Sequence, residues 1–246
     1  MIAESARQQR LLDLQAIDTR LGQIAHARTH LPQLAELADL GGKAGLLDDQ
    51  LIRFRTELDD IAREVRKADA DVQQVRDRAA RDQARLDAGT GSAKDLQAIS
   101  HELTSLARRQ AELEEVELEV MERAESIESD IAELDRGRGE LGERIAALEA
   151  SRDDRLAELD GEAATVGQPR EEVAREVGED LLALYEKIRT SSGGTGAAAL
   201  RQRRCGGCQL ELNPVEINRI RTAAEDEVVR CEECRRILVR TPESGL

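Results

Sequence analysis

From Leu47 onward the apolar residues recur at alternating spacings of four and three: Leu47, Leu51, Phe54, Leu58, Ile61, Val65, Ala68, Val72, Val75 and Ala79. Ten such positions in an unbroken row, with polar residues almost everywhere between them, predict one long helix with a coiled-coil seam. The pattern stops at residues 88–92 (AGTGS) and restarts at Leu96, Ile99, Leu103 and Leu106, running on to Leu141, Ile145 and Leu148 with only Gln110, Glu117 and Arg138 out of character. Two heptad helices joined by a five-residue Gly/Ser turn fold back on each other, because a short helix connection leaves its neighbours antiparallel. Ser92 is the expected N-cap of the second helix.

The first forty residues carry a weaker version of the same pattern in Leu14, Ile17, Leu21, Ile24 and Leu31, followed by Leu34 and Leu37 after Pro32. Residues 41–45 (GGKAG) then predict a break, since glycine lowers helix propensity. Counting back from the turn places residue 43 opposite residue 137, inside a second glycine-rich interval at 137–142, and the coincidence predicts a hinge there. Gly161, Gly167 and Pro169 close the second long helix. A third helix is expected over 170–189, with Val173, Val177, Leu181, Leu184 and Ile188 on one face. Residues 191–196 (SSGGTG) read as a flexible linker. Beyond it, 197–204 reads as a strand, 214–221 as a short helical turn opening on Pro214, and 228–230 and 237–239 as strands. The division is therefore a helical hairpin over 1–190, a linker over 191–196, and a small β domain over 197–246.

Composition agrees with this layout. Phe54 and Tyr185 are the only aromatic residues and charged residues make up 35% of the 246, so apolar surface is buried along a seam and not in a bulky interior. The N-terminal decapeptide MIAESARQQR lacks the apolar stretch of a secretion signal, and no run approaches a membrane span, so a cytoplasmic location is expected.

The chemistry concentrates in four cysteines, Cys205, Cys208, Cys231 and Cys234, the only ones in the chain and arranged as two CxxC pairs. Each pair places two thiolates on one tight knuckle, and two knuckles supply a closed tetrahedral site for one structural Zn²⁺. Two disulfides would call for an exported chain, and thioredoxin-type chemistry uses one CxxC at the head of a helix. A Cys₄ site has no open coordination position, so it stabilises a fold and does not activate water; an enzyme is not expected. Arg201, Arg203 and Arg204 before the first knuckle and Arg235, Arg236 and Arg240 after the second form a candidate binding patch. The net charge of −15 argues against long-range attraction to phosphate. From residue 201 onward nine arginines stand against eight acidic residues, and a thiolate-bound zinc adds about −2, which leaves the β domain near neutral. His26 and His30, four apart on a helix, lack the glutamate of a HExxH site and read as solvated, and the GTGS turn lacks a P-loop lysine.

A long coiled-coil hairpin followed by CxxC-x22-CxxC resembles the bacterial family of C4-type zinc ribbon proteins with an N-terminal coiled coil. The likeness includes the segment after the turn (SAKDLQAI, 92–99), the segment before the linker (LYEKI, 184–188) and both knuckles. That family usually has glycine after the last cysteine and an aromatic residue at the end of the following strand, where this chain has Arg235 and Val239. The resemblance implies zinc and a non-enzymatic binding role. Some members look like adaptors that hold an alternative sigma factor or act in flagellar gene control, with RNA contact as a further implied role. The expectation is an adaptor for a protein partner, such as a component of the transcription machinery; the alternative is an RNA- or DNA-binding regulator that uses the arginines.

Overall fold

The computed structural model describes all 246 residues. The elements are α1 (Ser5–Thr29), α2 (Pro32–Asp87), α3 (Ala93–Gly167), α4 (Arg170–Val177), α5 (Glu179–Ser191), β1 (Ala197–Arg201), β2 (Arg204–Cys205), α6 (Pro214–Thr222), β3 (Val229–Arg230) and β4 (Ile237–Val239). They form two compact units, a hairpin unit over Ala35–Glu149 and a ribbon unit made of Met1–Leu34 with Ala150–Leu246.

In the hairpin unit the heptad seam is the core. Leu51, Ile61, Ala68 and Val72 of α2 and Ile99 and Val120 of α3 are buried, and every other apolar heptad position named above is at least half-buried. The register continues through a buried Asp82, flanked by Arg78 and Arg85, to a half-buried Leu86. Cross-strand ion pairs fix the alignment: Arg55 with Asp135 at 2.9 Å, Glu64 with Arg123 at 3.0 Å and Arg76 with Glu114 at 2.6 Å. They lie on the exposed flanks, where each adds at most about 1 kcal/mol and the seam carries the stability. At the turn, Ser92 and Asp95 form a reciprocal capping box: the Ser92 hydroxyl accepts from the Asp95 backbone N–H at 3.3 Å, and the Asp95 carboxylate accepts from the Ser92 N–H at 3.0 Å.

The expected break at 41–45 is absent. α2 passes through Gly41, Gly42 and Gly45 as continuous helix, because Leu40, Ala44 and Leu51 on its inner face are buried and outweigh a propensity penalty of about 1 kcal/mol per glycine. The interruption lies about ten residues earlier, at His30 and Leu31, where Pro32 removes a backbone donor and disfavours helix in the residue before it. The two glycine intervals do meet, since Lys43 and Leu47 line one shallow groove with Gly137 and Leu141, but both helices cross that level unbroken.

In the ribbon unit the expected helix over 170–189 is two helices, α4 and α5. They part at Gly178, whose φ of 83° is a left-handed value and whose Cα faces the Arg7 guanidinium so closely that an added Cβ would displace it. Arg7 also donates to the Val177 carbonyl at 2.8 Å, tying α1 to this corner.

The linker at 191–196 does not separate two modules. Leu11 and Leu14 of α1, Val177 of α4, Leu181, Tyr185 and Ile188 of α5, Ala197 of β1 and Ile237 and Val239 of β4 share one buried cluster. The buried Gln15 amide holds the junction, donating to the Gly194 carbonyl at 3.0 Å and accepting from the Gly196 N–H at 2.7 Å. Gly196 packs on Tyr185, with a carbonyl oxygen 2.6 Å from where a Cβ would stand. The N-terminal residues join the same unit: the Ala3 N–H donates to Asp226 at 2.7 Å and the Val228 N–H to Met1 at 3.0 Å.

At the centre of this unit lies a charged group. The nearly inaccessible Asp18 carboxylate accepts from Arg170 at 2.6 and 3.1 Å and from the Tyr185 hydroxyl at 2.8 Å, with Arg189 at 3.5 Å. Glu186 braces both arginines, at 2.6 Å to Arg170 and 2.9 Å to Arg189. Burial alone would raise the Asp18 pKa, but the hydrogen bonds from Arg170 and Tyr185 and the two positive charges outweigh it and hold the carboxyl below its ordinary value. The phenol of Tyr185 moves the other way, raised by burial and by the bond to Asp18.

Candidate metal centre

The four-stranded sheet has the order β2-β1-β4-β3, with β1 parallel to β4 and the outer pairs antiparallel. The first knuckle leaves β2 and the second follows β3. Each knuckle closes with the same two hydrogen bonds. Cys205 donates its N–H to the Leu210 carbonyl at 3.0 Å and accepts from Gln209 at 2.8 Å; Cys231 donates to Arg236 at 3.0 Å and accepts from Arg235 at 2.9 Å. This closure forces the residue after each second cysteine into the left-handed region, with φ of 64° at Gln209 and 62° at Arg235. The glycine that the resembling family has at the second of these positions therefore has a backbone reason. Inside the first knuckle, Gly206 donates to the Ala199 carbonyl at 2.9 Å, and a Cβ there would lie 2.8 Å from that oxygen. A Cβ on Gly207 would meet the Arg236 side chain at 2.7 Å.

The sulfurs face one another. Cys205 and Cys234 Sγ are 3.7 Å apart, Cys208 and Cys231 Sγ are 4.0 Å apart, and all four lie within 4.8 Å of one another. Four sulfurs bonded to one zinc at about 2.3 Å stand about 3.8 Å apart at the corners of a tetrahedron, so the donor set fits the ion. The spacing is far beyond a disulfide bond of about 2.05 Å. Burial pushes the thiols of Cys205 and Cys231 up, the latter to about 11. Burial opposes the Cys234 thiolate too, but hydrogen bonds from Arg236 and from Cys231 and Cys205 overcome it and bring that thiol down to about 7. A divalent cation held by the four sulfurs would supply the positive charge that favours thiolate ligands. Cys205 and Cys231 are also part of the apolar core beneath the site, with Leu200, Leu212, Ile217, Ile220, Val229 and Leu238. From α6, the buried Glu216 accepts from the backbone N–H of Glu232 at 2.9 Å and steadies the second knuckle.

The six arginines of the candidate patch differ in their surroundings. Arg236 reaches back to the carbonyls of Ser192 and Thr195 at 2.8 and 3.1 Å, and Arg240 donates to those of Ala223, Ala224, Glu225 and Glu227 at 2.7–3.1 Å. Both are internal clamps of the ribbon. Arg201 faces Glu243 at 3.4 Å and Arg203 donates to the Gly245 carbonyl at 3.1 Å, while the side chains of Arg204 and Arg235 are without a partner. His26 and His30 stack at 3.8 Å on the surface, and only the four cysteines gather as a potential metal site. Sequence reasoning missed Gln15, Asp18 and the N-terminal residues, whose partners lie more than 150 positions away. No helix is long and apolar enough to cross a membrane.

Comparison with known proteins agrees with this architecture. Residues 14–193 match the model of the CT398-like coiled coil hairpin domain, and residues 204–238 match that of the C4-type zinc ribbon domain. An uncharacterized protein of Mycobacterium tuberculosis (strain ATCC 25618 / H37Rv) is 38% identical over 240 residues, 98% of each chain, and one of Mycobacterium leprae (strain TN) is 28% identical over 225 residues, 88% of this chain and 93% of that one. A solved structure from Mycobacterium smegmatis matches with a TM-score of 0.88 at 38% identity, covering 98% of this chain and all of the other. CT398 from Chlamydia trachomatis, at 18% identity and a TM-score of 0.71 over 96% of this chain and 98% of that one, shares the fold. With its hairpin, its two knuckles and these relatives in agreement, the chain belongs to the CT398-like coiled-coil hairpin family and ends in a C4-type zinc ribbon.

Proposed function

We propose that this protein is a non-enzymatic adaptor that binds a protein partner. The distribution of charge is the observation that carries the reading. The hairpin unit holds 29 acidic and 17 basic residues, so −12 of the formal −15 lies on Ala35–Glu149. A surface of that sign repels polyanions and attracts basic protein. The ribbon supports the same conclusion, because a four-cysteine metal site is closed to substrate and two of the six candidate arginines are committed to its own backbone. A component of the transcription machinery is the partner class that the family resemblance suggests. The test is affinity capture from native lysate with the full-length chain, with and without nuclease. The adaptor reading expects a protein retained in near-stoichiometric amount after nuclease treatment. Capture that yields RNA or DNA, and protein that is lost once nuclease is added, supports the nucleic-acid alternative and overturns it.

A further inference from the structure

Helix α3 changes character halfway along the hairpin. Residues 112–133 contain ten acidic residues and one basic residue, Arg123. The stretch of α2 opposite, bounded by the Arg55–Asp135 and Arg76–Glu114 bridges, is nearly balanced, with six acidic residues against Arg55, Arg63, Arg66, Lys67 and Arg76. Solubility or seam packing would affect the two strands alike, so the asymmetry belongs to one face of α3. Glu112 and Glu114 have ion-pair partners in Arg109 and Arg76, whereas Glu115, Glu119, Glu122, Glu125 and Glu128 have none. Their three- and four-residue spacings set like charges side by side, at a cost of about 0.2–0.5 kcal/mol per pair at four-residue spacing.

Apolar side chains stand among these charges. Leu118 and Met121 are 60% and 42% exposed and three apart on one face, outside the seam formed by Leu113, Val120 and Ala124, with Met121 along its edge. By helical spacing Glu115 and Glu122 flank Leu118, and Glu125 flanks Met121. An apolar pair without a covering element, flanked mostly by unpaired carboxylates with the Arg76-paired Glu114 at one end, complements a helix with the reverse pattern: apolar side chains on one stripe with lysine and arginine on either side.

We infer that this face of α3, centred on Leu118 and Met121, is a docking surface for a basic amphipathic helix of a partner protein. The inference deepens the adaptor reading and rests on it for its biological setting. Docking covers the two apolar side chains and relieves the glutamate repulsion at once, so it depends on both pattern and charge.

The probe is a fluorescent 20-residue peptide of leucine, alanine and lysine with its leucines on one helical face. Its control is a permutation of the same residues with the leucines dispersed. Both are titrated by fluorescence anisotropy against the full-length protein in about 0.1 M salt, where exposed charges are screened beyond about 10 Å. The expected result is binding of the amphipathic peptide at least tenfold tighter than its permutation. Leu118→Ser with Met121→Ser, and separately Glu115→Gln with Glu122→Gln and Glu125→Gln, should each weaken it about tenfold, or roughly 1.4 kcal/mol. Asp59→Asn with Asp69→Asn and Asp71→Asn removes as many charges from α2 and should change affinity by less than about twofold if the surface is local. The substituted side chains are exposed except Asp71, which is half-buried, and thermal melting verifies that each variant is folded. Equal binding of the two peptides, no binding of either, or an α2 variant as weak as the α3 variants overturns the inference. Lysate capture does not enter this experiment. A chain that binds the peptide as described but retains no cellular protein would sink the adaptor reading alone.

Discussion

Replacing Asp18 by asparagine preserves the side chain's volume and removes the charge on which Arg170, Arg189 and Tyr185 converge. The amide keeps one oxygen for these donors and turns an N–H₂ toward a guanidinium or the phenol. Loss of one partner from a buried ion pair costs about 3–5 kcal/mol. Arg170 and Arg189 are about one-third exposed and recover part of that as hydration, with Glu186 still beside them. The expected loss is therefore near the lower end, about 3 kcal/mol. Tyr185→Phe, which removes one hydrogen bond to a charged group, should lose about 1.5 kcal/mol. Urea denaturation followed by far-UV circular dichroism measures both. The pH dependence is the sharper test. Because the folded state lowers the Asp18 pKa, its contribution is fully present above the ordinary carboxylate value of about 3.9 and is lost as pH falls through the lower folded value. The difference between wild type and Asp18→Asn should therefore be constant from neutral pH to about pH 5 and shrink as the pH falls below the ordinary carboxylate value of about 3.9. A difference below about 0.5 kcal/mol at neutral pH, or one that persists undiminished in acid, would refute the account of this cluster.

Three further outcomes follow from the geometry. Chelation of the metal or Cys231→Ser should reduce amide-exchange protection in α1 and α5 as well as in the ribbon, because β1 and β4 share their core; protection unchanged in both helices would show that the ribbon unfolds alone. Arg235→Gly should raise the unfolding midpoint, gaining up to about 1 kcal/mol as the left-handed strain of 1–2 kcal/mol is relieved and glycine's larger unfolded entropy takes part of it back; a lower midpoint would show that the arginine side chain stabilises the knuckle. Gly41→Ala with Gly42→Ala should stabilise the hairpin by about 1 kcal/mol per site, since both backbones are helical and an added Cβ meets nothing within 4 Å; a loss in thermal melting would restore the hinge.

The parts of the fold that repeat were legible in the sequence. The seam from Leu47 to Ala79 and from Leu96 to Leu148 could be counted because a heptad is a local code in which each position constrains its neighbours three and four away. The cysteine spacing worked for the same reason, since each knuckle is a four-residue device. What failed was non-local. Gly41 and Gly42 signal a break only to a reader who cannot see Leu40 and Ala44 buried against a partner helix. Residues 191–196 look flexible until Gln15 and Tyr185 are placed against them. Arg236 and Arg240 look like a binding surface in a string of letters and act as clamps once the carbonyls they hold are known. The left-handed residue after each second cysteine was visible only as a departure at Arg235, without its geometric meaning.

The bonds that close the ribbon unit impose an order in time. The Ala3 N–H awaits Asp226, Gln15 awaits Gly196, and Asp18 awaits Arg170 and Tyr185. At about 5–20 residues per second of synthesis, α1 leaves the ribosome on the order of ten seconds or more before the strands that complete its core. The hairpin has no such wait, because each α3 residue up to Glu149 meets an α2 partner already made. A translating chain therefore carries a zipped hairpin and an N-terminal helix whose Leu11 and Leu14 are covered in stages, first by α4 and α5 and last by β1 and β4. In that interval the part of the stripe still waiting for Ala197, Ile237 and Val239 is the chain's point of exposure to chaperones and proteases.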